Sequence, residues 1–285
     1  MTGIGASEAP AIMGLSNWSS PYSVWCNKTG KIPYDDEPSE YMRWGSILEE
    51  PVRQEFIRRT NLPVEHLGPY AIVRHETIPW LFCSPDGLIG TDGMYEGKTA
   101  NAFAGHDWNE SVPDYVLCQT QHQLAVTGRV YCYVCVLIGG STLKYFCVNR
   151  DDRFIGEMLK VLDRFWTLVE SNVAPEVDGK PSTSNAIRRL HPNDSGRTMI
   201  LPDVADLILD EREVLKSHVK ELESQIEELN NRLKVMMTDA TWGQSQGGYT
   251  VSYKTIERAG YAVKPSTFRQ ICVSKPKGKR STEAA

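Results

Sequence analysis

Long apolar runs are missing from this chain, and none approaches the ~18 residues that a membrane helix needs, so no spanning segment is expected. The start, MTGIGASEAP, lacks both a basic n-region and an apolar h-region, so no signal peptide is expected. Cysteine offers no disulfide framework. The seven residues, Cys26, Cys83, Cys118, Cys132, Cys135, Cys147 and Cys272, are odd in number and scattered, which suits a reducing, intracellular setting. Cys132-x-x-Cys135 has the look of a metal or redox pair. It lies in the strand-like RVYCYVCVLIGG, however, where a spacing of three puts the thiols on opposite faces, so two buried small hydrophobes are expected. Positive charge is also short. The net charge is −5, which taken alone argues against a nucleic-acid partner. The balance is uneven: residues 253–285 carry a net +6, leaving −11 for the rest. An acidic body with a basic tail is compatible with an enzyme that holds metal ions in an acidic cleft and grips phosphate elsewhere.

What is present is ordinary for a globular protein: 285 residues, 24% charged and 41% hydrophobic, enough for one large domain plus an extension. Ser7 is expected to cap a short helix, SEAPAIM. Ser20-Pro21 opens a second helix with Gly30 just past its end. Residues 35–39 read as a polar loop. A helix follows over about 41–59, with Pro51 expected to kink or restart it. YAIVRHE reads as a strand, Asp114 starts a helix, VYCYVCVLI and TLKYFCV read as strands, and a helix covers about 151–171. Strands between flanking helices predict an α/β or α+β core with a central mixed sheet. Residues 175–200, with three prolines and two glycines and no periodicity, read as a linker between a 1–174 core and a 201–285 extension. In that extension Ile208, Leu215, Leu222, Leu229 and Met236 recur every seven, and Val219, Ile226 and Leu233 fill partner positions, with Arg212 the exception. A coiled-coil seam and a long helix packed on its own domain both fit this pattern. A small hairpin around GGYTVSYKTIER and a disordered KPKGKR tail complete the reading.

The chemistry-bearing stretch is SPDGLIGTDGMYEGKTA, residues 84–100. Asp92-Gly93 between two short apolar runs is a hairpin turn. Glu96 and Lys98, two apart on the second strand, share a face, and Asp86 sits near the same end of the ladder. A face that gathers two carboxylates and a lysine is costly unless it binds something. Phosphodiester hydrolysis requires an activated water and neutralisation of growing charge, which Mg²⁺ supplies with few protein ligands. Asp86, Glu96 and the Gly97 carbonyl are candidates for holding it, and Lys98 for orienting or deprotonating the water. Alone, D-x9-E-x-K is a weak pattern, and a turn at Asp86-Gly87 with an exposed Glu96/Lys98 ion pair is the favoured reading of it.

Four motifs together are more specific. Pro85-Asp86 followed by Glu96-Gly97-Lys98 resembles the PD-(D/E)xK nuclease core. GIGASEAPAIMGLSNWSSPYSVWCNKTG (3–30), MRWGSILEEPVRQEF (42–56) and PDYVLCQTQHQLAVTG (113–128) narrow the resemblance to the lambda exonuclease/YqaJ-like viral recombinase family, over about residues 3–170. The resemblance implies a restriction-endonuclease-like core with a long helix and small β-hairpin added. It implies a Mg²⁺-dependent exonuclease, with Mn²⁺ as a substitute, that degrades linear double-stranded DNA 5′→3′ and leaves 3′ overhangs. It further implies a single-strand annealing partner protein, a homo-oligomer (a trimer in the family), no membrane association, and the cytoplasm of a bacterial host as the setting of a phage or prophage protein. By carry-over, Glu49, Asp86 and Glu96 with the Gly97 carbonyl are metal ligands, and Asp86, Glu96, Lys98 and Gln119 are catalytic. Ser7, Gln121 and Arg43 bind substrate, Ser7 at the 5′ phosphate. The arginine that usually precedes the glycine-rich motif has no counterpart before Gly3, so either Arg43 or another cation takes its place or the pocket that anchors the 5′ end is weakened.

Each residue has a plainer reading. Glu49 beside Glu50 suits a solvated helix face. Gln119 and Gln123 share a helix face that Gln121 does not. His75 and His122, without partner spacing, are expected to be structural. Of Trp18, Trp25, Trp44 and Trp80, core packing is expected for most, with base stacking the alternative. Two other functions compete: a sequence- or structure-specific endonuclease on the same core, which a closed circular duplex distinguishes, and a non-catalytic DNA-binding scaffold.

Overall fold

The structure is a computed structural model that describes residues 3–32, 39–68, 71–260, 265 and 267–273. The KPKGKR tail and most of the expected 35–39 loop lie outside the described residues. The chain divides into two units, Met1–Pro192 and Asn193–Ala285.

The first unit runs β1 (Ile4–Gly5), α1 (Ala9–Ile12), α2 (Pro21–Lys28), α3 (Glu40–Thr60), β2 (Val73–Arg74), β3 (Leu81–Cys83), β4 (Gly87–Ile89), β5 (Gly93–Ala100), a 3-10 stretch (Phe103–Trp108), α4 (Asp114–Thr127), β6 (Tyr131–Ile138), β7 (Thr142–Asn149), α5 (Asp152–Glu170) and α6 (Pro181–Leu190). Local chemistry sets these bounds. Ser20 and Ser23 exchange side-chain and backbone hydrogen bonds in a capping box, with Pro21 next. The Asp151 carboxylate accepts from the amides of Arg153 and Phe154 at 3.0 and 2.9 Å and starts α5. Gly128, at φ +69°, takes the left-handed conformation that ends α4.

Two sheets stand where one was expected. β1 pairs parallel with β3, and β2 antiparallel with β3. The larger sheet has the order β4-β5-β6-β7, with β5 and β6 parallel and the outer pairs antiparallel. Met94, Val134 and Val136 pack on one face with Trp108 and with Val116 and Leu124 of α4. Tyr95 and Cys135 pack on the other with Val52 and Phe56 of α3, the Phe56 and Tyr95 rings 5.1 Å apart. The larger sheet is therefore sandwiched between α4 and α3. Cys132 belongs to the first face and Cys135 to the second, both buried, as the strand period demands. The small sheet forms a further core with α1, α2, α5 and α6.

Several expectations are corrected. Of the kink or restart expected at Pro51, the restart does not occur, and α3 runs through it as one element. Proline removes a single helical hydrogen bond, and Val52 and Phe56, buried just beyond it, anchor the next turns on the sheet. The linker expected at 175–200 contains α6, whose Ala186 joins the core. Pro181 is that helix's first residue rather than a breaker, which extends the unit past residue 174. The YAIVRHE strand shrinks to Val73–Arg74.

In the second unit, α7 (Val204–Met237) is followed by the antiparallel hairpin β8 (Trp242–Gln244) and β9 (Thr250–Ser252). Among the described residues no helix is long and apolar enough to cross a membrane.

Candidate active site

The β4–β5 hairpin places Gly87 opposite Tyr95, so Asp86, one residue earlier, falls level with Glu96. The Gly97 amide donates to Asp86 Oδ2 at 2.8 Å and ties the two strands at that point. A Cβ at Gly97 would stand 3.3 Å from the Tyr95 hydroxyl and 3.6 Å from that carboxylate, which explains glycine between the two charged residues. Glu96 and Lys98 share the α4 face of β5. Glu96 is 2% exposed, and a carboxylate so buried needs donors. It has three. Lys98 Nζ donates to Oε1 at 2.6 Å, Gln119 Nε2 to the same oxygen at 2.6 Å, and Gln123 Nε2 to Oε2 at 2.7 Å. The Gln119 carbonyl oxygen also accepts from Lys98 Nζ at 3.1 Å, so one amide bridges lysine and glutamate.

These groups floor a cleft of about 790 Å³, walled by the first half of α3 through Trp44, Glu49 and Val52. Burial first, and then the neighbouring Glu96, raise the Asp86 pKa well above the usual carboxylate range. Lys98 and the Gly97 amide oppose the shift, and Glu49 adds to it. For Lys98 burial acts to lower the pKa, yet Glu96 and Asp86 outweigh it and the net shift is upward. The upward shift favours the ammonium form of Lys98, which suits it to facing negative charge.

Glu49 lines the cleft, whereas Glu50 turns to Arg53 and Gln54. Among the described residues no three His, Cys, Asp or Glu side chains stand close enough to share a metal ion. Asp86 and Glu96 form a pair on the cleft floor, and Glu49 stands on the wall of the same cleft. Mutual repulsion between carboxylates favours that separation. The donor chemistry still fits a hard divalent cation, because the pair is all oxygen and buried, with two carboxylates against the single Lys98 ammonium, and Mg²⁺ retains waters in its remaining positions.

Other expected residues lie apart from this cluster. Gln121 donates to the Asn149 carbonyl at 2.7 Å and accepts from the Asp151 amide at 2.9 Å, which makes it a brace between α4 and the β7–α5 junction. Ser7 is exposed in the turn before α1. Glu8, not Ser7, is the N-cap of that four-residue helix, and its carboxylate accepts from the Gly5 amide at 2.8 Å and pairs with Lys28 Nζ at 2.7 Å. Arg43 is exposed on α3 and pairs loosely with Glu40 at 3.8 Å. Trp25 is buried, but Trp44 is 51% exposed on the cleft wall beside the still more exposed Tyr41. Sequence reasoning left Gln123 and Tyr41 out of the site. The i, i+4 relation of Gln123 to Gln119 was the available signal for the first. Tyr41 offered none, because its exposure depends on where α3 leaves the sheet.

The arrangement has relatives. Residues 1–130 match the family model of the YqaJ-like viral recombinase domain. The protein named YqaJ of Bacillus subtilis (strain 168) is 32% identical over 265 residues, covering 89% of this chain and 81% of that protein. Among solved structures, the alkaline exonuclease LHK-Exo from Laribacter hongkongensis is similar with a TM-score of 0.51 at 24% identity, over 60% of this chain and 90% of that one. Its complex with dAMP gives 0.52 at the same identity and coverage. The fold is that of the restriction-endonuclease-like exonucleases, and the extent and identity of the match to YqaJ mean that this chain belongs to the YqaJ-like viral recombinase family.

Proposed function

We propose that the protein is a Mg²⁺-dependent exonuclease that digests linear double-stranded DNA in the 5′→3′ direction and leaves 3′ overhangs for recombination. The observation that carries this reading is the meeting of Asp86, Glu96, Lys98 and Gln119 on the floor of one cleft. The solved structure of LHK-Exo with dAMP, a deoxynucleoside monophosphate, supports DNA as the substrate class. Asp86 and Glu96, with the Gly97 carbonyl, hold the cation. When bound, Mg²⁺, or Mn²⁺ in its place, supplies an activated water and neutralises charge on the phosphate. The Lys98 ammonium adds a fixed positive charge for the phosphate oxygens, and the transition state needs it more than the ground state does. Gln119 fixes Lys98 against Glu96, and Gln123 holds the far oxygen of Glu96, so neither group must reorganise during the reaction. Glu49 would add a further carboxylate to the cation from the wall of the cleft. Tyr41 and Trp44 offer ring faces for unpaired bases. Ser7 and Arg43 serve the 5′ phosphate, and a single-strand annealing protein receives the product.

Linear duplexes labelled at either end, with and without a 5′ phosphate, and a closed circular duplex test this with Mg²⁺ or EDTA. Mononucleotides should leave the 5′ end only, with Mg²⁺ only, and the circle should stay intact. Cleavage of the circle would make the protein an endonuclease. Release from the 3′ end would reverse the polarity, and no digestion by folded protein would leave a DNA-binding scaffold.

A further inference from the structure

Helix α7 carries an apolar stripe that is exposed among the described residues. Leu215, Leu222 and Leu229 alternate with Val219, Ile226 and Leu233, and each is between 42% and 57% exposed. The stripe begins at Ile208 and ends where Met237 is buried against Gly243 of the hairpin. It spans about four heptads and roughly 40 Å at 1.5 Å per residue, which is long enough for a stable seam.

We propose that α7 pairs with α7 of a second copy of this chain as a parallel, in-register, two-stranded coiled coil. The side chains choose the partner. Leucine occupies the d positions 215, 222 and 229, and β-branched residues occupy the a positions 219 and 226, a combination that favours two parallel strands over three or four. The flanking charges agree. In a parallel pair a g residue faces the e residue five positions later on the partner. Glu211 therefore meets the partner's Lys216, and His218 meets the partner's Glu223, each twice by symmetry. Arg212 holds an a position within the seam. A knob at a packs beside the preceding g residue of the opposite helix, so Arg212 lies beside the partner's Glu211, and a slip of one heptad would exchange that carboxylate for the partner's His218 or Val204. The single polar a residue thus sets the register. This pairing differs from the ring trimer that resemblance implies, and it does not depend on the chemistry of the cleft.

Light scattering on the full chain should give twice the 32.0 kDa chain mass. Leu222→Glu with Ile226→Glu, both exposed among the described residues, should return it to one chain with unchanged near-ultraviolet circular dichroism, to which the first unit contributes every tryptophan except Trp242. Lys216→Glu should weaken the dimer at least tenfold at low salt, and Glu211→Lys in the same chain should restore it. Leu222→Cys, in a Cys147→Ser, Cys272→Ser background, should oxidise to a covalent dimer. A wild-type mass of one or three chains overturns the proposal. So does a doubled mass that survives Leu222→Glu with Ile226→Glu, or a doubled mass in which Leu222→Cys does not cross-link.

Discussion

His122 offers a direct measure of what burial costs in this core. Its side chain has no exposed surface, and among the described residues neither ring nitrogen has a hydrogen-bond partner. Burial, with a smaller push from His75, pulls its pKa down to about 3. In the unfolded chain the ring protonates near pH 6.5. Between these values the unfolded state binds a proton that the folded state refuses. Stability is therefore full above about pH 6.5 and falls as pH drops toward 3. At 1.36 kcal/mol per pH unit the loss is roughly 2 kcal/mol at pH 5 and about 4 kcal/mol at pH 3, where the folded state is itself half protonated. His122→Leu removes the titration and keeps an apolar side chain of similar size. Urea unfolding at pH 7.5 and pH 5, followed by tryptophan fluorescence, reads the effect in the first unit, which holds every tryptophan except Trp242. The variant should lose about 2 kcal/mol less than wild type between the two pH values, and other titrating groups cancel in the comparison. Equal losses would show that His122 is protonated, or hydrated, in the folded state.

Asp86→Ala should abolish Mg²⁺-dependent digestion without lowering the urea midpoint, because it removes one of two repelling carboxylates; digestion near the wild-type rate would sink the paired site. Lys98→Ala should keep Mg²⁺ affinity within a few-fold by calorimetry yet lose turnover, and the reverse pattern would contradict its role. Gln123→Leu leaves one Glu96 oxygen without a donor, at about 1–3 kcal/mol, and should cut turnover roughly tenfold or more. Gln121→Leu should lower stability by a similar amount while folded protein keeps its turnover, and an equal kinetic defect in both variants would erase the distinction drawn between them. Ser7→Ala should narrow the preference for 5′-phosphorylated over 5′-hydroxyl ends, and equal digestion of both by wild type would remove Ser7 from the reading. Truncation at Ser195, beyond the Pro192 boundary, should leave a folded nuclease that binds DNA more weakly and with a shallower salt slope, since the basic segment after Tyr253 is lost; an insoluble fragment would refute that independence.

The site was legible where strand and helix periods decide it. Asp92-Gly93 fixed the hairpin, the period of two put Glu96 and Lys98 on one face, and the i, i+4 rule separated Gln119 and Gln123 from Gln121. What escaped depends on contacts between distant segments. Ser7 stood as a helix cap in the sequence, but Glu8 takes that place and finds Lys28, twenty residues away. Pro181 counted as a linker residue although the same residue type had been read at Pro21 as a helix start; the difference lay in the absence of a clear apolar stripe after it. The reach of Glu49 toward Asp86 and the exposure of Tyr41 depend on how α3 leaves the sheet, which no local pattern encodes.

Synthesis of the chain imposes an order on the site. The β4–β5 hairpin closes over a few residues and can form on its own within microseconds. The donors that satisfy Glu96 come from elsewhere: Gln119 and Gln123 lie on α4, and β5 gains its second neighbour only when β6 follows. A nascent chain therefore displays its two carboxylates and lysine to water before the amides that organise them exist. At about 5–20 residues per second the interval from Lys98 to the end of β6 lasts a few seconds. During it the motif residues exist but the cleft does not, and a chain released early carries the motif without the site.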